Sequence, residues 1–176
     1  DTETRRKHLN ARATMGALLD LGAVPVVNEN DTVATAEIRF GDNDRLAARV
    51  AAMIGADLLI LLSDVDGLYT GNPNQNNDAA HLPQIDHITD DIVAMAGVAN
   101  AQYASGGMVT KLEAGRISTA AGCHMIICDG RDPEPLLRLQ SGARCSCFIA
   151  TETPHAARKQ WIAGAVTPRG TCLLYT

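Results

Sequence analysis

Short apolar runs alternate with helix-length segments along the chain, and this alternation limits the possible folds more than any other feature. The apolar periodicity predicts helices over residues 4–21, 44–56, 89–97, 109–122 and 133–139. It predicts strands over residues 23–27, 35–40, 58–62, 125–128, 145–150 and 160–163. Frequent exchange of strand and helix is typical of a mostly parallel sheet with helices on both faces. We therefore predict an α/β fold, specifically a three-layer α/β/α sandwich.

The pattern also makes more detailed predictions for three segments. The run Leu58–Leu62 is predicted to be a buried strand. The helix over 44–56 is predicted to pack through Leu46, Val50, Met53 and Ile54. The segment 71–84 is rich in Asn, Pro and Gln, which favours a surface loop.

Composition and charge exclude several classes of protein. Aromatic residues make up only 3% of the chain against 46% apolar residues, so the core must consist of Ala, Val, Ile and Leu. At 176 residues the chain forms one domain or most of one. The net charge of −5, without a basic surface, argues against a nucleic-acid partner. No apolar stretch reaches membrane-spanning length and no signal peptide is recognisable, so we expect a cytoplasmic protein without a membrane partner.

The cysteines do not form a disulfide framework. They are five in number, at positions Cys123, Cys128, Cys145, Cys147 and Cys172. Cys145 and Cys147 would point the same way from a strand and would not bridge easily. We therefore expect reduced thiols.

Polar stretches occur where predicted strands end or where a predicted helix begins. The first is Asn28–Asp31, continued by Asp42–Asp44; the second is Ser63–Asp64; the third is Gly106–Lys111. In an open α/β sheet, ligands bind at the carboxyl ends of the strands. All of these stretches are expected at that edge, which indicates a site for a small polar substrate beside a nucleotide phosphate.

The glycine-rich stretch has a phosphate-binding interpretation and a simpler alternative. Gly106 and Gly107 let the backbone approach a phosphate, and the following helix offers unpaired amides and the positive end of its dipole. Lys111 would reach a transferring phosphoryl group from the first turns of that helix. The same residues could also form an ordinary turn followed by a solvent-facing lysine. The stretch is not a Walker A loop, because G-x-x-x-x-G-K-[ST] does not occur.

The other polar stretches also allow two readings. Asn28–Asp31 can form a recognition surface for an amino or carboxyl group, or a solvated loop. Ser63–Asp64 can belong to the ligand site at that edge, or it can simply cap a helix or a turn, which is the usual role of Ser-Asp. Asp42–Asp44 can cap a helix; alternatively Asp44 orients lysine ammoniums around a reacting phosphate while Asn43 contacts a neutral part of the substrate.

At three places the chain closely resembles the amino acid kinase family, and within it the enzymes that phosphorylate the side-chain carboxylate of L-glutamate. The resemblance is carried by the stretches VPVVNENDTVATAEIRFGDNDRLAARVA, LLSDVDGLYTGNP and SGGMVTKLEA, and it extends from about Leu9 to Ala165. The NEND…GDND pairing is specific to the glutamate-acting enzymes. The other two stretches are shared more widely in the family.

The resemblance implies a reaction and its participants. ATP would phosphorylate the L-glutamate side-chain carboxylate to glutamyl 5-phosphate, the first step of proline biosynthesis. Mg²⁺ would arrive bound to the ATP phosphates, without a dedicated protein ligand. Proline as feedback inhibitor and a homo-oligomeric assembly are further expectations.

The resemblance also assigns roles to individual residues. Asp44 and Lys111 would be catalytic, with Lys111 stabilising the phosphoryl group during transfer. Asn28, Asp31 and Asn43 would bind the substrate. The nucleotide would be bound by Ser63, Asp64, Ser105, Gly106, Gly107, Met108, Val109, Thr110 and Lys111.

The chain departs from the family in two respects. The family's opening strand and its glycine-rich loop with a lysine would precede Asp1, so residues 1–165 are predicted to be the C-terminal two-thirds of the kinase domain, followed by an irregular tail over 166–176. We expect low or no kinase activity from these 176 residues alone. Asn72 stands where relatives usually carry Asp.

Two alternatives stay open. An aspartate, acetylglutamate or uridylate kinase would share the last two stretches but should lack the NEND…GDND pair. A non-catalytic amino-acid-sensing subunit on the same fold would not need the intact SGGMVTK stretch.

Overall fold

The structure, a computed structural model, describes residues 2–28, 43–73, 76, 78–99, 107–153 and 156. The helices are α1 (Thr2–Asp20), α2 (Asn43–Ile54), α3 (Asp90–Ala99), α4 (Met108–Ala120) and α5 (Pro135–Gln140). The strands are β1 (Leu58–Ser63), β2 (Leu68–Tyr69), β3 (His81–Leu82), β4 (Gln84–Ile85), β5 (His124–Asp129) and β6 (Cys145–Phe148). All five predicted helices are confirmed, as are the strands predicted at 58–62, 125–128 and 145–150.

The main sheet is mixed but mostly parallel. Its four strands lie in the order β1-β5-β6-β4, with β1/β5 and β4/β6 parallel and β5/β6 antiparallel. A short antiparallel pair, β2/β3, forms a second sheet. The antiparallel step joins β5 to β6 through residues 130–144, which include α5.

The core lies between one face of the sheet and the helices α2 and α4. Its fully buried members are Ala48, Leu61, Leu68, Ile85, Leu112, Ala114, Met125, Ile127 and Phe148. The predicted packing face of α2 is wrong in detail: Ala48 and Ala51 are the buried residues, whereas the larger side chains predicted to face inward are only half-buried. Alanines let α2 approach α4 closely, and the two helices are in extensive contact.

Strand β1 is buried on one face only, which corrects the prediction of a buried strand. Leu61 is 6% exposed, but Leu58 and Leu62 are 45% and 51% exposed. Alternate residues of a strand point to opposite faces, so Leu61 faces the core that α2 contributes to while its neighbours point away.

Two further predictions need correction. Residues 23–28 form no strand, and Val24 and Val26 are about nine-tenths exposed, because no strand in the described part of the chain hydrogen-bonds to them. The segment predicted as a loop over 71–84 contains β3 and the first residue of β4, since two-residue strands carry no periodicity to read. The strands predicted at 35–40 and 160–163 lie outside the described residues.

Two equivalent helix–turn–strand units determine where side chains gather. The helices α2 and α4 both end in a glycine of left-handed conformation, Gly55 (φ 73°) and Gly122 (φ 80°), and each leads directly into β1 or β5. Because β1 and β5 are parallel neighbours, the N-termini of α2 and α4 lie at the edge where these strands end, at Ser63 and Asp129. No helix among the described residues is both long and apolar enough to cross a membrane.

Candidate active site

A buried ion pair joins the N-terminal turns of α2 and α4. The Nζ atom of Lys111 lies 3.2 Å from Oδ2 of Asp44, and the two side chains are 11% and 20% exposed. The hydroxyl of Thr110 donates to the same carboxylate oxygen at 2.9 Å. A buried ammonium is tolerated only when it is paired, so Asp44 allows Lys111 to remain charged at this position.

Lys111 retains hydrogen-bonding capacity beyond this pair. An ammonium carries three donors. Within the described ranges, Asp44 is the only hydrogen-bond or ion-pair partner of Lys111. As far as the described residues show, two donors of the Lys111 ammonium are therefore available to a negatively charged group at the N-termini of α2 and α4.

No described side chain caps the N-terminus of α4. Its N-cap residue, Gly107, has an extended backbone (φ −73°, ψ −170°) and makes no side-chain capping bond, and the first turn holds no acidic residue. Met108 packs against the core and Val109 is apolar, so only their backbone amides can meet a polar ligand. These amides and the helix dipole together favour a phosphate or carboxylate.

A second ion pair lies beside the first. Arg45 contacts Oε2 of Glu113 through both Nε and Nη2, again linking α2 to α4. Both side chains are well exposed, so solvent screening makes this pair weaker than the buried one. Neither residue stands out in the sequence, because the two positions are 68 residues apart and share no motif.

Ser63 and Asp64 follow β1 at the same edge. The hydroxyl of Ser63 donates to Oδ1 of Asp64 at 3.1 Å, and the Ser63 carbonyl accepts the amide of Gly130 at 2.7 Å. The local bond is of the kind that the turn interpretation predicts. The Asp64 side chain is exposed and the Ser63 side chain is half-buried.

Asp129 and Arg131 are charged residues at the end of β5, at the same edge of the sheet. The sequence motifs did not predict them. Arg131 donates from Nε and Nη2 to the two Asp129 oxygens at 2.9 and 2.6 Å. Bonds from the Arg131 side chain and backbone amide hold the pKa of Asp129 at about 2. The hydrogen bond and charge of Asp129, followed by the charges of Asp64 and Asp66, raise the pKa of Arg131. The Asp-Gly turn after a predicted strand was the available signal.

The turn before β2 carries a further polar cluster. The Tyr69 hydroxyl donates to Asp66 at 2.9 Å and accepts from Arg144 at 3.1 Å. The ring of His81 packs edge-on against Tyr69, and burial, followed by the charge of Arg144, lowers the pKa of His81. Ser146, fully buried on β6, joins these elements by accepting the Leu68 amide and donating to the Leu82 carbonyl.

The remaining predicted site residues are located as follows. Asn43 is the exposed first residue of α2, next to Asp44. Asn28 is exposed and lies outside any helix or strand. Asn72 is half-buried and has interactions of its own. Asp31, Ser105 and Gly106 lie outside the described residues. The ranges that the structure describes contain no group of three His, Cys, Asp or Glu side chains able to hold a metal ion.

Sequence comparison identifies the family. The profile of the amino acid kinase family matches residues 1–129. The chain belongs to the amino acid kinase family. The resemblance seen in the three sequence stretches is thereby confirmed.

The chain is similar to glutamate 5-kinases from several bacteria. The chain is 58% identical over 171 residues to glutamate 5-kinase of Gluconobacter oxydans (strain 621H), covering 97% of this chain and 45% of the relative. It is 59% identical over 170 residues to glutamate 5-kinase of Agrobacterium fabrum (strain C58 / ATCC 33970), covering 97% and 44%. The chain therefore spans less than half the length of these relatives.

Solved structures confirm the fold class. Carbamate kinase from Giardia lamblia bound to AMP-PNP aligns with a TM-score of 0.50 at 21% identity, covering 78% of this chain and 44% of that one. An isopentenyl phosphate kinase substrate complex aligns with a TM-score of 0.50 at 22% identity, covering 77% and 51%. These likenesses support the α/β architecture of an amino acid kinase and nothing more specific.

Proposed function

We propose that the protein is a glutamate 5-kinase, which uses ATP to phosphorylate the side-chain carboxylate of L-glutamate and releases glutamyl 5-phosphate and ADP. The observation that carries this proposal is the buried Asp44–Lys111 pair at the N-terminus of α4, which no described side chain caps. High identity to glutamate 5-kinases from two bacteria supports glutamate as the acceptor.

The proposed reaction requires the protein mainly to position the two substrates and to supply positive charge near the transferring phosphoryl group. A glutamate carboxylate oxygen attacks the γ-phosphorus of ATP, the bond to the β–γ bridging oxygen breaks, and negative charge spreads over the transferring group. The two remaining donors of Lys111 stabilise that charge, and the first amides of α4 hold the ATP phosphates. Asp44 keeps the ammonium in place while ligands enter and leave.

The other site residues have proposed binding roles. Asn43, Asn28 and Asp31 contact glutamate. The nucleotide is bound by Ser63, Asp64 and the stretch 105–111. Mg²⁺ accompanies ATP on its phosphates and supplies further positive charge there. We also propose a cytoplasmic homo-oligomer with proline as feedback inhibitor, since glutamyl 5-phosphate leads to proline.

The test is ADP release by the protein expressed from its complete coding sequence. ATP is supplied with L-glutamate, L-aspartate, N-acetyl-L-glutamate or UMP as acceptor. We expect ADP release with L-glutamate and little with the others. A preference for another acceptor would assign a different kinase of the family, and binding of glutamate or proline without ATP binding would indicate a sensor. The 176 residues alone, assayed in parallel, are expected to show low or no turnover.

A further inference from the structure

Three thiols lie together on the face of the sheet opposite the core. Met125 and Ile127 of β5 and Phe148 of β6 are completely buried in the core. Since side chains alternate along a strand, Cys128 and both cysteines of β6 belong to the other face. Cys145 lies directly opposite Cys128 in the antiparallel register, and its Sγ is 3.9 Å from Sγ of Cys147. All three are free thiols.

The backbone pairing makes Cys128 and Cys145 suitable for a direct bond. The amide of Cys147 donates to the carbonyl of Pro83, on the β4 side of the strand. Cys145, two residues earlier, has the same orientation, so its backbone groups point away from β5. Cys128 and Cys145 thus form a non-hydrogen-bonded antiparallel pair, in which Cα atoms lie about 4.5 Å apart. A disulfide spans Cα separations of about 4.4–6.8 Å.

Cys145 and Cys147 are a poorer pair. Two residues along one strand lie about 6.6 Å apart, and their Cα–Cβ bonds run parallel instead of converging. The contact between their sulfur atoms nevertheless makes Cys145 the thiol common to both neighbours.

Burial differs among the thiols. Cys128 is 3% exposed, and burial raises its pKa. Burial, followed by the charge of Cys145, raises the pKa of Cys147 to about 11. Both thiols therefore hold their protons at neutral pH and react slowly with an oxidant. Cys145 is partly exposed, as Cys147 is, and it neighbours both of the other thiols, so we expect an oxidant that reaches this face to react at Cys145.

We propose that Cys128 and Cys145 are a modification site that forms a reversible cross-strand disulfide on exposure to a peroxide. The Cys145 sulfur attacks one oxygen of hydrogen peroxide, the O–O bond breaks, and a sulfenic acid and one water result. The Cys128 sulfur then displaces the hydroxyl group, the S–S bond forms, and the hydroxyl leaves as a second water with the proton of the Cys128 thiol. The two sulfurs lose two electrons, which reduce the peroxide. An excess of a small thiol such as glutathione reverses the bond by exchange.

Trypsin separates the possible products because of where the arginines lie. Cleavage after Arg116, Arg131 and Arg144 places Cys128 in peptide 117–131, whereas Cys145 and Cys147 share peptide 145–158. A Cys128–Cys145 disulfide joins the two peptides. A Cys145–Cys147 disulfide leaves them separate and removes two hydrogen atoms from peptide 145–158 alone.

The experiment treats the whole protein with hydrogen peroxide, blocks free thiols with an alkylating agent, and analyses the tryptic peptides by mass spectrometry without reduction. We expect the joined peptides, and their disappearance after incubation with glutathione. Because Cys123 shares a peptide with Cys128, the assay is repeated on Cys123→Ser, which should keep the joined product.

Variants identify the reacting thiols. Cys145→Ser and Cys128→Ser should abolish the joined product, whereas Cys147→Ser should retain it. Loss of the product in Cys123→Ser, a disulfide confined to peptide 145–158, or only sulfinic and sulfonic acids in the unmodified sequence would each overturn the proposal. The peptide map of the unmodified sequence decides even where a serine variant fails to fold, and it does not depend on kinase activity.

Discussion

Replacing Asp44 by asparagine should destabilise the protein chiefly through the charge left on Lys111. The 3.2 Å pair corresponds to an attraction of about 5 kcal/mol at an effective dielectric constant of about 20. Residual exposure of the two side chains reduces this value, so we expect Asp44→Asn to lower the unfolding free energy by roughly 3 kcal/mol.

The complementary change should cost less. Lys111→Met removes the ammonium, but the Asp44 carboxylate keeps the Thr110 hydroxyl and the positive end of its own helix. We expect a loss of about 1–2 kcal/mol for Lys111→Met and a similar loss for the double variant, which holds no unpaired charge. The coupling energy between the two sites should then be about 3 kcal/mol.

Urea unfolding followed by far-ultraviolet circular dichroism measures all four members of this cycle. The exposed pair formed by Asp132 and Arg138 gives a matched control, for which Asp132→Asn and Arg138→Met should couple by less than about 1 kcal/mol. Additive losses at Asp44 and Lys111, within about 0.5 kcal/mol, would refute the buried pair.

Four other substitutions test separate parts of the structure. Lys111→Ala should lower kcat about 10²–10³-fold with little change in the glutamate KM; a raised KM at normal kcat would contradict its proposed role. Asn43→Ala should raise the glutamate KM at nearly constant kcat, and an unchanged saturation curve would remove that contact. Ser146→Ala should cost about 2–3 kcal/mol in urea unfolding, because the buried amide of Leu68 loses its 2.7 Å acceptor; a loss below about 1 kcal/mol would show that this bond is replaced. Gly67→Ala should cost at least about 2 kcal/mol, since its φ is 154° and a Cβ would lie 2.6 Å from the Ser146 hydroxyl; wild-type stability would contradict this geometry.

The helix–turn–strand units could be predicted because their signals are local. The segments that became α2 and α4 each precede a glycine and a strand, and the apolar spacing marks both. Parallel pairing of β1 and β5 then follows from the alternation of elements. The meeting of Asp44 and Lys111 is a consequence of this topology, since each lies in the first turns of its helix.

Other features depend on contacts that leave no local pattern. The role of Ser146 requires β2, β3 and β6 to converge. A single serine in a predicted strand gives no indication of that convergence. The antiparallel direction of β6 against β5 is also set by pairing between strands and not by any local pattern. The strand predicted at 23–27 is a case in which a local pattern was present but the structure was not. Apolar residues favour a strand, but a strand forms only when it hydrogen-bonds to a neighbouring strand.

The glycine turns at Gly55 and Gly122 lie a full helix length from Asp44 and Lys111. A 12-residue helix such as α2 is a rod about 18 Å long. Tilting such a rod by about 4° at its base moves its tip by more than about 1 Å, which is enough to separate a carboxylate from an ammonium. A side chain at either turn would be strained at this positive φ, and a tilt that relieves the strain would move charged groups that the new side chain never touches.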